Sequence, residues 1–335
     1  MRERHVPKTS EELQASFDKI FGAYTKACKK RAGSLHDFQL KLVNIDLDFR
    51  FSKAANPDIY PDVVKLPAIK SMLDLLNGRY YCRNVLAGFI LCTFETLTDP
   101  DIFVPGQEEE ATLFVESLVK LGALDVFVST LAKFRGDDVL FPAVQTIAQM
   151  IFLKPELAEP AGKNPQLMDW VFKSLRSPIW NDLKMHVLGF LNTLLMSSFK
   201  NRLEFGEMDA VAVVVNALSS LEEDFIPDEE YLLQTLFSCL LFLLEFHDNI
   251  VKFVKAGGVQ SMIGIIQQED FGYCYGSAIT ALDIAVKACK SASKEFVNDK
   301  LAFDTAFPPS MDMTDLPRAS KIVIALKLDQ PKYSK

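Results

Sequence analysis

The feature that most limits what this chain can fold into is a spacing. An apolar residue followed by others at +3, +4 and +7 recurs along it, first as Ile69, Met72, Leu73 and Leu76, then as Leu124, Phe127, Val128 and Leu131. The set returns as Val211, Val214, Val215 and Leu218, and again as Val259, Met262, Ile263 and Ile266. A fifth copy starts at Leu167 and has Trp170 and Val171, with Ser174 at +7 and Leu175 one place later. These offsets stripe one face of an α-helix, whereas a strand alternates its side chains with period two.

The starts are 55, 43, 44 and 48 residues apart. Armadillo and HEAT repeats run at about 40 to 47 residues. An extended loop, Thr98 to Glu110, with Pro100, Pro105, Gly106 and three glutamates, accounts for the longer first interval. A small residue precedes three of the starts (Ala68, Ala123 and Gly258), and the segments entering them are short turns. Each patterned helix is followed by a longer, greasier one: Asn84–Leu97, Val139–Leu153, Leu183–Phe199, Tyr231–Phe246 and Ser277–Ala288. Helices apolar nearly all round are expected between neighbouring repeats. Pro142 is expected in the first turn of its helix, where a missing N–H costs nothing.

The expected fold is all-α, a right-handed α-solenoid of armadillo/HEAT-like repeats. Residues 1–55 form N-terminal capping helices, 56–308 about five repeats, and 309–335 a C-terminal tail or capping helix. Thr9 and Glu12 have capping-box spacing, and Lys26, Lys29, Lys30 and Arg31 close the first helix before Gly33. That basic run reads as cations favoured by the helix dipole, with a nuclear-localisation cluster as the alternative. The stretch Lys321–Leu328 is read as a last helix, a strand being the alternative.

Charge excludes one class of partner and locates another. The chain has 36 Lys plus Arg against 44 Asp plus Glu, a net charge of −8, and lacks the basic footprint that duplex nucleic acid requires. Residues 201–230 hold Arg202 against Glu204, Glu207, Asp209, Glu222, Glu223, Asp224, Asp228, Glu229 and Glu230. One cation minus nine acids is −8, leaving 35 against 35 elsewhere. Two readings of Leu221 to Glu230 stand: a solvated inter-helix loop, or an acidic patch that holds a basic peptide through charge-assisted contacts. The candidate partner-binding residues are Glu222, Glu223, Asp224, Asp228, Glu229 and Glu230.

Catalytic and metal-binding patterns are weak. Gly272-Tyr-Cys274-Tyr-Gly276 has nucleophile-elbow spacing, but such an elbow needs a preceding strand, and a helical face precedes it here. Cys274 is therefore read as a helix-start cysteine. His5, His36, His186 and His247 have no partners at zinc spacing, and no cofactor or metal is expected. Trp170 and Trp180 lack the tryptophan–asparagine ladder of importin-type grooves and are read as packing residues. The N-terminus shows no secretory signal. The greasy stretch Tyr231–Phe246 is broken by Gln234, Thr235, Ser238 and Glu245, and is short of the ~18 to 20 apolar residues of a membrane span. Six cysteines without a CxxC pair point to a reducing compartment.

Several strings carry a family resemblance. Asn56-Pro-Asp-Ile-Tyr-Pro61 leads into Leu66-Pro-Ala-Ile-Lys-Ser-Met-Leu-Asp-Leu-Leu76, followed by Phe94-Glu-Thr-Leu-Thr-Asp-Pro-Asp101. Glu108-Glu-Glu-Ala111, Phe114-Val-Glu-Ser-Leu118 and Phe296–Pro308 follow in order. The chain resembles the beta-catenin-like protein 1 family, nuclear armadillo-type proteins associated with the spliceosome. The resemblance implies a non-enzymatic, nuclear scaffold that joins the Prp-nineteen-type complex and binds basic segments of splicing factors, with self-association a further possibility. The alternative is a cytoplasmic armadillo adaptor or chaperone cofactor unrelated to splicing.

Overall fold

The computed structural model describes residues 8–30, 48, 66–78, 84–100, 107–177, 181–220, 229–267 and 274–298, and among these every regular element is helical. The chain divides into two compact units, Met1–Trp170 and Val171–Lys335. In the first, helix α1 spans Ser10–Lys30, α2 Pro67–Leu76, α3 Asn84–Thr98, α4 Gln107–Lys120, α5 Ala123–Lys133 and α6 Asp137–Leu153. A 3-10 turn, Pro155–Leu157, leads into the short α7, Ala158–Gly162, and α8, Pro165–Leu175, runs across the division. The second unit continues with α9, Asp182–Ser197, α10, Phe199–Glu207, α11, Ala210–Ser219, and α12, Glu229–Leu243. It ends with α13, His247–Lys255, α14, Gly258–Gln267, α15, Tyr275–Ala288, and α16, Lys290–Asn298.

The repeat has three helices where the sequence shows two. A first helix (α4, α10 or α13) precedes the patterned one (α5, α11 or α14), and the long greasy helix (α6, α12 or α15) follows. Three helices per repeat is the armadillo arrangement, so the chain is an armadillo α-solenoid. The +3/+4/+7 residues lie inside as expected: Ile69, Phe127, Val128, Val211, Val214, Met262 and Ile263 are all buried.

Two local devices recur along the solenoid. The turn from first to second helix uses a left-handed residue, Gly122 (φ 72°), Asp209 (φ 63°) or Gly257 (φ 78°). A small buried residue (Ala123, Ala210 or Gly258) then opens the second helix. At Gly258 the close neighbour is Phe253, with whose ring a methyl would collide. The corner from long helix to next first helix is closed by a buried side-chain donor. Asn201 donates to the Leu194 carbonyl (3.2 Å), Asn249 to Leu243 (2.9 Å) and Ser293 to Val286 (3.0 Å). These bonds occupy carbonyls that a helix C-terminus leaves without intrahelical donors.

At the N-terminus the capping box is present: Thr9 N–H donates to Glu12 Oε2 (2.9 Å) and Glu12 N–H to Thr9 Oγ1 (3.3 Å). Helix α1 buries Leu13 and Phe17, and Gln14 accepts from the Ala68 N–H at the start of α2 (3.1 Å). It runs through Lys30, as the helix-terminus reading of the basic run requires.

Four sequence expectations need correction. Gln107–Glu110 are helical, because Glu108, Glu109 and Glu110 favour the positive end of α4. The helix expected over Leu183–Phe199 stops at Ser197, because Ser198 accepts from the Asn201 N–H (3.3 Å) and opens α10. Glu229 and Glu230 belong to α12 rather than to a loop. Pro142 stands in the second turn of α6, because that helix begins at Asp137 with Val139 and Leu140 donating to Gly136. The Asp138 carbonyl cannot receive a bond from position 142, and it lies against α3, where a methyl on Gly88 would sit 2.7 Å from it.

Candidate partner-binding surface

The long helices carry outward stripes. On α12 the residues Glu230, Gln234, Ser238 and Leu241, with Glu245 just beyond, follow helical spacing and are exposed or half-buried. Gln234, Ser238 and Glu245 are interruptions of the greasy stretch noted in the sequence, whereas Thr235 is buried and donates to the Tyr231 carbonyl (2.8 Å). On α9 the matching stripe is Met185, Gly189, Asn192 and Met196; on α15 it is Gly276, Thr280, Asp283 and Lys287. Helix α12 packs against both α9 and α15, so the stripes stand side by side.

Hydrogen bonds join the rungs. Ser238 Oγ donates to Asn192 Oδ1 (2.8 Å), and the Cys239 thiol approaches the same oxygen (3.8 Å). The Asn192 oxygen is thereby engaged, and its NH2 group is the donor that the stripe offers. Gln234 donates to Glu230 Oε1 (2.9 Å), and Lys287 pairs with Asp283 (2.6 Å). In the first unit the neighbouring α3 and α6 present Phe89, Cys92 and Thr96 beside Phe141, Gln145, Ala148 and Phe152, a more aromatic row. Amide groups and aromatic faces at one-turn spacing suit an extended peptide, whose backbone needs donors and acceptors at intervals.

Two of the acidic candidates, Glu229 and Glu230, open α12 at one end of this row. Glu222, Glu223, Asp224 and Asp228 lie outside the described residues, in the segment 221–228 that joins α11 to α12. Glu229 is the first residue of α12, and Glu230 is exposed beside it. Of the other acids in the run, Glu207 and Asp209 are exposed at the end of α10.

The remaining candidates resolve individually. Cys274 is buried at the start of α15, and α14 precedes it; among the described residues no strand does. His186 is half-buried on α9, its pKa lowered by burial against the opposing pull of Asp182. His247 is exposed at the start of α13. Among the described residues no three His, Cys, Asp or Glu converge on a metal position, and no helix is long and apolar enough to cross a membrane. Trp170 is half-buried, and Trp180 lies outside the described residues. Asn181, beside it, caps α9 by accepting from the Lys184 N–H (2.9 Å). Asn192 was not found from the sequence. Its signal is a lone amide at helical spacing between Gly189 and Met196, in the apolar second half of its helix.

Comparison with known proteins places this architecture. The family described as catenin-beta-like, Arm-motif containing nuclear, matches residues 45–321. Beta-catenin-like protein 1 of Rattus norvegicus is 26% identical over 265 residues, covering 76% of this chain and 46% of the relative. The Homo sapiens protein of that name is 25% identical over 265 residues, with the same coverage. The chain thus spans about half the length of the curated relatives it matches. Among solved structures, an engineered protein aligns with TM-score 0.61 at 14% identity, over 95% of this chain and 74% of its own. A designed armadillo repeat protein in complex with the peptide (KR)4 aligns with TM-score 0.54 at 14% identity, over 77% and 99%.

Proposed function

This chain belongs to the catenin-beta-like, Arm-motif containing nuclear family, and on that footing we propose that it is a non-enzymatic scaffold that captures basic segments of splicing factors in the nucleus. The observation that carries the binding reading is the meeting of two features in the second unit. The outward stripes of α9, α12 and α15 offer backbone-recognising polar groups, and residues 201–230, the last two of which open α12, hold the chain's entire net negative charge. An acidic rim beside an amide-bearing row selects Lys- and Arg-rich peptides and speeds their encounter. The designed armadillo protein solved with (KR)4 supports a fold of this kind holding such a peptide. The splicing assignment, with membership of a Prp-nineteen-type complex, is supported by kinship with beta-catenin-like protein 1, and nuclear location by the family's description.

Charge reversal tests the site. Replacing Glu222, Glu223, Asp228 and Glu229 with lysine is expected to weaken binding of a labelled Lys/Arg peptide by about tenfold or more at low salt. The loss should shrink as salt rises and the Debye length shortens. Unchanged affinity at low salt would remove the acidic segment from the site. For the cellular role, affinity purification with mass spectrometry should recover splicing subunits. A strictly cytoplasmic protein that recovers none would favour a cytosolic adaptor instead.

A further inference from the structure

We propose that the corner where α9 meets α10 is a docking surface for a cationic amphipathic helix of a protein partner. Three large apolar side chains stand open there: Phe199 is 64% exposed, Met196 48% and Leu203 43%. Phe199 and Leu203 are one turn apart on α10, and the Phe199 ring lies 4.8 Å from that of Phe246, which caps α13. The apolar surface therefore spans two successive corners of the second unit. Clusters of exposed apolar side chains with a polar border mark interaction sites more often than isolated ones do.

The repeat itself does not require this surface. Aligning the corner donors Asn201, Asn249 and Ser293 makes His247 and Ser291 the counterparts of Phe199, both polar and exposed. Leu203 corresponds to half-buried Val251 and to Glu295. A corner can thus be built without an aromatic residue at this position, and the packing that Phe199 adds is its contact with the Phe246 ring.

The charges around the patch choose its occupant. Glu207 continues the Phe199–Leu203 stripe by one turn and is exposed, as are Asp209 and Asp248. Two nearby cations are turned inward. Arg202 donates both to Glu245 Oε1 (2.8 Å) and to Glu245 Oε2 (2.6 Å), and it lies 4.4 Å from the centre of the Phe242 ring. Lys252 donates to the Gly206 carbonyl (2.8 Å). Lys200 beside Phe199 is the exposed exception. Anionic lipid and nucleic acid would meet this carboxylate rim with repulsion, and a second copy would set acid against acid. A helix with an apolar stripe at i, i+3, i+4 and i+7 and a Lys/Arg border fits both features: its stripe covers Met196, Phe199 and Leu203 while its cations meet the rim.

This surface does not rest on Glu222–Glu230, and the two are tested separately. The probe is a fluorescent Leu/Lys amphipathic helical peptide, titrated against the full chain at low salt. Combined Phe199→Ser and Leu203→Ser substitution is expected to weaken its binding by about tenfold or more with only a modest drop in the thermal melt, since Phe199 is mostly open and Leu203 nearly half so. Glu207→Lys with Asp209→Lys should also weaken it, through charge and without touching the apolar patch. Reversal at Glu222, Glu223, Asp228 and Glu229 should alter it much less. Equal affinity of the parent and the double serine variant would overturn the proposal, as would equal binding of a Leu/Glu peptide. Self-association of the parent in sedimentation that the serine variant abolishes would overturn it in favour of a second copy.

Discussion

At the residue scale, Lys184 is a cation buried in α9. Its ammonium donates to the Ser177 carbonyl (2.6 Å), and burial lowers its pKa to about 8. An unfolded lysine titrates at ~10.4. Between these two values the unfolded chain binds the extra proton and the folded chain does not. Stability from this group therefore rises with pH through that window, and the penalty is complete below about pH 8. Lys184→Met removes the titration and keeps most of the volume, giving up the bond to Ser177, which a neutral amine would still make. The Tm of the variant relative to the parent should accordingly be more favourable at pH 7 than near pH 10. A Tm difference that stays flat between those values would show that Lys184 carries no such penalty.

At the scale of the element, the turn before each second helix shows how far the sequence can be read. Among the described residues Asp209 is the one non-glycine with positive φ, at a position where Gly122 and Gly257 serve its neighbours. The left-handed region costs an L-residue of this type about 1 kcal/mol, less for Asp than for most, and glycine returns part of the gain through unfolded-chain entropy. Asp209→Gly should thus stabilise by about 0.5 kcal/mol, a rise of on the order of 1 °C in Tm. A lower Tm would mean that the Asp209 carboxylate contributes more than its backbone costs.

The patterned and greasy helices were legible because each presents a long apolar face whose period can be counted. Helices α10, α13 and α16 were not. Each has nine residues, and none of them carries the complete apolar set at +3, +4 and +7 that marks the patterned helices. Their buried anchors Asn201, Asn249 and Ser293 are polar, and so are invisible to a search for apolar residues. The site divides in the same way. A run of carboxylates announces an acidic surface, whereas the row of Asn192, Gln234 and Ser238 exists only because long helices stack. That stacking is a tertiary fact, and no local pattern encodes it.

At the scale of the whole molecule, a solenoid contacts itself between neighbours, so a lesion should stay near its origin. Gly88 offers a clean place to make one. Its α3 backbone meets the Asp138 carbonyl that Pro142 cannot satisfy from within α6, and a methyl there would sit 2.7 Å from that oxygen. Alanine gains about 1 kcal/mol of helix propensity over glycine. Forcing apart two packed backbones costs about 1 to 3 kcal/mol, and a main-chain oxygen cannot swing aside as a side chain could. The clash should therefore win. Gly88→Ala is expected to lower amide hydrogen-exchange protection in α3 and α6 while α12 and α15, in the other compact unit, keep theirs. An equal loss in all four helices would mean that the chain opens as one cooperative body, and raised protection in α3 would mean that α6 yields to the added methyl.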